Sequence, residues 1–330
     1  MKVCVFGAGA VGGHLAAKLA RAAATIPELE VSIVARGPHL AAIRADGLRF
    51  QGAEESFTSW PHATDDPATL GPQDIVISAV KAPALPGIVP ALHPLLKPDT
   101  PIVYAINGIP WWYFHGHAGP RHDRRMDRLD PGGRLWDEIG VERAIACVIY
   151  SANEVLEPGL IRNNSKSDRF ILGEPTDAGT TRIAALAQLL EQAGCRAPVA
   201  DDIRREIWIK LLGNMASSPI TCLTGATTGN AISDPDLKPI FRRMMEEGVR
   251  VAAAYGIEID AQIDERLASN SQLTTHRPSM LQDLQASRSM EIDGQLIAVQ
   301  DLARAAGIET PTADILIALL KHRARLAGLY

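Results

Sequence analysis

The sequence predicts an α/β fold: a doubly wound parallel sheet over residues 1–199, followed by an all-helical C-terminal domain over residues 200–330. Three observations carry this expectation. The first half alternates short apolar runs with helix-like segments, the pattern of parallel strands joined by crossover helices. The first run, residues 2–6, ends in a glycine-rich turn. Beyond Asp201 the strand-like runs stop and helical patterning takes over. A length of 330 residues suits two domains better than one.

Taken in order, the expected strands cover residues 2–6, 31–35, 74–80, 101–106 and 144–150. Each is nearly continuous in apolar residues, as strands buried on both faces are. Helices are expected over 11–24, which is rich in alanine and leucine, and over 181–193. A short extended piece at 197–200 comes before the boundary. Asp201 and Asp202 suit the first turn of a helix, where carboxylates meet free N–H groups and the positive end of the dipole. Helices then follow over 202–217, 235–255, 261–269, 290–306 and 311–327. The segment from Trp111 to Trp136 fits neither half and is long for a connection. It reads either as a lid or substrate-flanking loop, or as a surface excursion.

Composition narrows the function classes. Hydrophobic residues make up 46% and charged residues 22%, so a globular chain is expected and disorder is not. The formal net charge of -5 leaves no basic excess to displace counterions from nucleic acid. The run His122 to Arg128 is interleaved with acids and reads as a solvated loop. The four cysteines, Cys4, Cys147, Cys195 and Cys222, show no ligand spacing. His115, His117 and His122 lack a partner carboxylate at helical spacing, so no metal is expected. No apolar run approaches the ~20 residues that span a bilayer, and no signal peptide is readable. A reduced, cytoplasmic, soluble protein without membrane or nucleic-acid partners is expected.

The strand ends carry the chemistry. Gly7-Ala8-Gly9-Ala10-Val11-Gly12-Gly13 follows a strand and opens a helix, the context in which GxGxxG binds a dinucleotide. Gly7 permits the turn, Gly9 lets phosphate approach the backbone and Gly12 lets helix and strand close together, with the pyrophosphate on the helix N-terminus. The first domain is therefore expected to be of Rossmann type. At the tip of the second strand stands Arg36, where an NAD enzyme usually carries an acid. A guanidinium can pair with the 2′-phosphate of NADP in a fork geometry; otherwise Arg36 is a solvated arginine. Two further strands end at Lys81 and at Asn107-Gly108. Either could be a plain loop residue or turn, but together with Gly7 and Arg36 they outline a cleft at the carboxyl ends of the strands.

In the second half, Lys210 and Asn214 stand four residues apart on one helix face. A lysine beside a cleft could protonate a developing alkoxide; alone it would read as solvated. Ser279 to Asp283 and Met290 to Gly294 would alone read as helix capping and a surface carboxylate. The sequence nevertheless resembles the ketopantoate reductase (2-dehydropantoate 2-reductase) family over essentially its whole length. The resemblance rests on six motifs in the family's order: GAGAVGG at 7–13, the lysine after SAV at 81, NG at 107–108, WIKLLGN at 208–214, SMLQD at 279–283 and MEIDG at 290–294.

The resemblance implies NADPH-dependent reduction of a 2-keto acid to a 2-hydroxy acid. Lys210 matches the general acid, and Glu291 the carboxylate that orients the substrate and supports the lysine beside the cofactor. Asn107 and Asn214 match the amides holding substrate and nicotinamide. Ser279 matches the hydroxyl on the substrate carboxylate, and Lys81 a residue at the cofactor–substrate junction. The chain departs from the family at Ser218, where a second asparagine usually stands and could hold a substrate hydroxyl. It departs also at Thr275 to Pro278 and in the length of the 111–136 segment. Ketopantoate is the expected substrate. The alternatives are a related NADP-dependent dehydrogenase for another branched or bulkier 2-keto or hydroxy acid, and a non-catalytic NADP-binding regulator. The run Ile315 to Leu320 offers apolar surface for a homodimer, or a buried helix face.

Overall fold

The computed structural model describes residues 1–119, 121–165, 168–176 and 179–330. The chain divides into two compact units, the first made of Met1–Ile106 and Trp111–Ile203, the second of Asn107–Pro110 and Arg204–Tyr330.

The first unit runs β1 (Lys2–Phe6), α1 (Ala10–Ala22), β2 (Glu30–Val34), α2 (Gly37–Asp46), β3 (Leu48–Gln51), β4 (Ser56–Ser59), β5 (His62–Thr64), β6 (Ile75–Ser78), α3 (Leu85–Leu92), β7 (Ile102–Tyr104), β8 (Ala144–Tyr150), β9 (Asn153–Glu157), β10 (Leu160–Asn163), β11 (Arg169–Gly173) and α4 (Thr181–Gln192). Seven strands form the main sheet in the order β11-β8-β7-β6-β1-β2-β5. All neighbours are parallel except β11, which pairs antiparallel with β8. The doubly wound parallel sheet therefore carries one antiparallel edge strand, reached from β8 by way of β9 and β10 and not by a crossover helix. Strand order reverses at β1, between β2 and β6, the kind of switch point at which α/β sheets bind ligands.

The central strands are buried on both sides: Val3, Cys4 and Val5 of β1, Ile33 of β2 and Val76 of β6 are each fully inaccessible. Leu15, Ala16 and Leu19 press α1 onto that surface, in one core with Ile183, Leu186 and Leu190 of α4. A second sheet, in the order β4-β3-β10-β9, was not expected from sequence. Its strands are short and partly exposed, so their apolar signal is weak.

The segment opening at Trp111 is not a plain surface excursion. Trp111, Trp112, Tyr113 and Phe114 are each at most 2% exposed. Trp111 stands edge-on to Tyr104 at 5.5 Å and to Trp136 at 6.2 Å. Asp130 accepts from the N–H groups of Leu135 and Trp136 and turns the chain back. A start anchored this way argues against a free lid over that stretch.

The second unit is helical: α5 (Ile203–Thr224), α6 (Thr228–Ser233), α7 (Lys238–Ala253), α8 (Ile263–Ser271), α9 (Ser279–Gln285), a π-helical turn (Asp293–Ile297), α10 (Ala298–Ala306) and α11 (Pro311–Leu326). Phe241, Met244, Met245, Val251 and Ala252 make the buried stripe of α7. Glu247, also buried, accepts from the first N–H groups of α11, at Thr312 (2.9 Å) and Ala313 (2.8 Å). This satisfies donors that a helix start would leave bare. The helix expected over 202–217 runs on to Thr224, through Pro219. Burial of Ser217 to Cys222 offsets the helix bond that proline removes.

Candidate functional site

In the first unit the cofactor candidates stand at neighbouring strand ends. Phe6 of β1 is paired with Val34 of β2 on one side and Ser78 of β6 on the other. The residues that follow these strands, Gly7, Arg36 and Lys81, therefore leave one edge of the sheet side by side. The Gly7 N–H donates to the Val34 carbonyl at 3.1 Å, which ties the loop to β2. Gly9 caps α1, with no side-chain cap and no acid in the first turn. The N–H groups of Ala10, Val11 and Gly12 thus have no anionic competitor from that turn.

Two tests of fit come from the backbone. A Cβ on Gly12 would collide with the Gly7 carbonyl oxygen, so helix and loop touch at a distance only glycine allows. A Cβ on Gly9 would meet nothing within 4 Å, so the space over this residue is open. Close packing beneath and open space above is what a diphosphate needs to reach a backbone. Arg36 is exposed at the start of α2, and its guanidinium forms no hydrogen bond or ion pair among the described residues. It is available to an anion. Lys81 is half-buried at the start of a short 3₁₀ turn, Ala82–Ala84. The residues present fit a dinucleotide.

The second unit gathers the remaining candidates. Lys210, Asn214 and Ser218 follow one another at four-residue steps along α5. Lys210 and Asn214 are half-buried, whereas Ser218 is 1% exposed. Glu291 is buried, one turn before Gln295, whose Nε2 lies 3.5 Å from the Glu291 Oε2. Ser279 is exposed at the first position of α9, and its hydroxyl makes no hydrogen bond among the described residues. Four residues on, the buried Asp283 is held by Arg288 at 3.0 Å.

Sequence reasoning set Asn107 beside the other strand ends; by its contacts it belongs to the helical unit. The Ile109 N–H donates to the Gly294 carbonyl at 2.8 Å. Gly108, at φ +87°, comes so close to Gly294 that a Cβ there would strike the Gly294 carbonyl. The asparagine loop is thereby seated on the turn that follows Glu291. The buried Oδ1 of Asn107 and Oε1 of Gln295 have no hydrogen-bond donor among the described residues. Buried acceptors without donors cost free energy and recur where a ligand supplies the missing partner. Gln295 escaped sequence reasoning. The available signal was the pair of glycines, at 108 and 294, in two separate motifs.

The other reactive groups offer no competing chemistry. Burial pushes the thiols of Cys4, Cys195 and Cys222 up to about 12, so they stay protonated at neutral pH. Among the described residues no grouping of His, Cys, Asp and Glu is arranged to hold a metal. His115 and His122 instead flank Asp123. No helix of the described residues is long and apolar enough to cross a membrane.

A sheet that reverses order above an open glycine loop, joined to a helical unit bearing a lysine and a buried carboxylate, defines a two-unit oxidoreductase of the dinucleotide-binding class. Comparison with known proteins narrows this. The model of the family described as "Ketopantoate reductase PanE/ApbA" matches residues 3–116, and that of its C-terminal part matches residues 202–324. A 2-dehydropantoate 2-reductase of Mesorhizobium japonicum is 44% identical over 331 residues, covering all of both chains. One from Halobacterium salinarum is 25% identical, over 97% of this chain and 98% of its own. A solved structure from Ralstonia solanacearum MolK2, described as a ketopantoate reductase, superposes with a TM-score of 0.91 at 38% identity, over 99% of each chain. The chain belongs to the ketopantoate reductase family.

Proposed function

We propose that this chain reduces 2-dehydropantoate (ketopantoate) to pantoate with NADPH, the reductive step of pantothenate biosynthesis. The observation that carries the reading is the full-length match to a 2-dehydropantoate 2-reductase, with Lys210 and Glu291 retained in the helical unit. When bound, the nicotinamide supplies a hydride to the C2 carbonyl of the keto acid. As that hydride arrives the carbonyl electron pair moves onto oxygen, and the Lys210 ammonium gives its proton there, leaving a hydroxyl and a neutral amine that solvent recharges. Glu291 orients the substrate and keeps the lysine in place. Asn107 and Asn214 hold substrate and nicotinamide amide, while Ser279 meets the substrate carboxylate.

The glycine loop, residues 7–12, holds the pyrophosphate on the α1 terminus. Lys81 stands where cofactor and substrate meet. Arg36 selects NADPH over NADH, because an unpaired guanidinium pairs with a 2′-phosphate and gains little from a hydroxyl. We place the enzyme in the cytoplasm. Its oligomer is a homodimer through α11, where Ile315, Leu319 and Leu326 are 64%, 53% and 78% exposed.

A second reading keeps the reaction and changes the acid. Ser218 is buried where the family usually carries asparagine, and a hydroxyl offers one donor where an amide offers two. A substrate hydroxyl held by that asparagine would be held differently here, which favours a bulkier or less polar 2-keto acid. The test is NADPH consumption across a panel of 2-keto acids that includes ketopantoate. The highest kcat/KM is expected for ketopantoate; rapid turnover of another acid with none of ketopantoate would overturn the first reading in favour of the second.

A further inference from the structure

Leu329 and Tyr330 touch the segment that carries Glu291, although neither belongs to the candidate site. The chain folds back there for a local reason. α11 ends in a Schellman turn, with Gly328 in the left-handed conformation at φ +68°. The Gly328 N–H donates to the Arg325 carbonyl at 3.0 Å and the Leu329 N–H to the Ala324 carbonyl at 2.9 Å. The reversal buries Leu329 and sets the Tyr330 ring beside the last turns of α11. There the Arg325 guanidinium lies 5.5 Å and the Lys321 ammonium 5.9 Å from the ring centroid. These two cations stand four residues apart on one helix face, so the ring is held where α11 places it.

Two hydrogen bonds join this turn to the Glu291 segment. The Met290 N–H donates to the Leu329 carbonyl at 3.2 Å, and the Tyr330 hydroxyl donates to Asp293 Oδ1 at 2.9 Å. One contact lies a residue before Glu291 and the other two residues after it. The next residue, Gly294, is tied through its carbonyl to the Ile109 N–H. Met290 and Ile292, on either side of Glu291, are buried. Residues 290–293 are thus fastened at both ends, with the buried Glu291 side chain between the fastenings. A packed side chain has little rotamer freedom to correct a shift of its backbone. A misplacement of about 1 Å can cost a reaction about 10²-fold, so what holds residues 290 and 293 bears on the chemistry.

We propose that Tyr330 is a positioning residue for Glu291: its hydroxyl on Asp293, together with the Leu329 carbonyl on the Met290 N–H, clamps the segment and holds the Glu291 carboxylate where it orients the keto acid. This rests on the reductase reading and adds to it two residues outside every motif that carries the family resemblance.

Tyr330→Phe removes the hydroxyl and keeps the ring against Arg325 and Lys321, and at 38% exposure the loss leaves the fold intact. Hydrogen exchange of the Met290 N–H in the substrate-free protein reads the clamp directly. It should quicken about threefold to tenfold in Tyr330→Phe, the loss of one ordinary hydrogen bond, and quicken also in Asp293→Ala. Asp293→Asn keeps an oxygen acceptor and should recover part of the protection lost in Asp293→Ala. At saturating NADPH, kcat/KM for the keto acid should fall about threefold to tenfold in Tyr330→Phe, while the NADPH dissociation constant stays at its wild-type value. Tyr330→Phe added to Asp293→Ala should cost nothing further, because both remove one contact. Met290 exchange that does not change in Tyr330→Phe overturns the proposal, as does a keto-acid kcat/KM equal to wild type or a full second loss in the double variant. Should the wild-type chain reduce no 2-keto acid, the reductase reading fails, and the Met290 exchange still decides whether Tyr330 clamps the segment.

Discussion

At the residue scale, two side chains carry the argument and each makes a separable prediction. Lys210 is half-buried on α5 and is proposed to donate the proton. Lys210→Ala should lower kcat by about 10²–10⁴, the usual worth of a positioned acid, while the NADPH dissociation constant measured by fluorescence stays near wild type. Unchanged turnover would remove the lysine from the mechanism. Arg36 is exposed and has no ion pair or hydrogen bond among the described residues, so its whole effect should appear in cofactor choice. Arg36→Asp should cut the NADPH/NADH preference by about 10- to 100-fold, the range of a hydrogen bond to a charged group. A ratio of kcat/KM values that does not move would place the 2′-phosphate elsewhere. Both residues were legible in the sequence because each follows a recognisable run. Gln295 was not, since what marks it is a buried atom with no partner among the described residues, and partners are a property of the folded chain.

At the scale of elements, β1, β2, β6, β7 and β8 of the main sheet could be read because burial leaves apolar runs such as Val3 to Phe6 and Ile75 to Ile77. Its two outermost strands, β5 and β11, were not expected. The second sheet could not be read either, because Asn153–Glu157 and Ser56–Ser59 are short and largely exposed. Nor could α9, whose seven residues hold too few turns to show a period. The NG loop illustrates a different limit: its residues were noticed, but its neighbour lies nearly two hundred positions away. Gly108 sits at φ +87° against the Gly294 carbonyl, so any side chain there meets both a backbone penalty and a collision. Gly108→Ala should cost about 2–4 kcal/mol from the two effects together. It should also lower turnover, because Asn107 and the turn after Glu291 would part. A melting temperature equal to wild type would mean that the two motifs do not rest on each other.

For the molecule as a whole, response to acid follows from groups whose protonation the fold displaces. His14 of α1 is fully buried, with Nδ1 at 2.8 Å from the Asn153 Oδ1 and its ring against Phe50 and Phe170. Burial holds its pKa below 6.5; the Asn153 bond and the Asp168 and Glu55 charges oppose the shift, and Lys18 adds to it. Above pH 6.5 both folded and unfolded chains carry this ring neutral, and its contribution to stability is constant. As pH falls below 6.5 the unfolded chain takes the proton first, so stability is lost progressively until the folded pKa is reached. The slope from one such histidine cannot exceed about 1.4 kcal/mol per pH unit. Carboxylates act later: the Lys97 hydrogen bond and the Lys2 N–H hold Asp74 below 3.8, so its contribution is intact above that value and lost beneath it. Urea unfolding followed from pH 7.5 to 5 should therefore show a first decline ahead of any carboxylate limb. In His14→Phe, which suits the aromatic surroundings, that first decline should be shallower. An equally steep decline in the variant would mean that other histidines, not His14, set the acid limit of this protein.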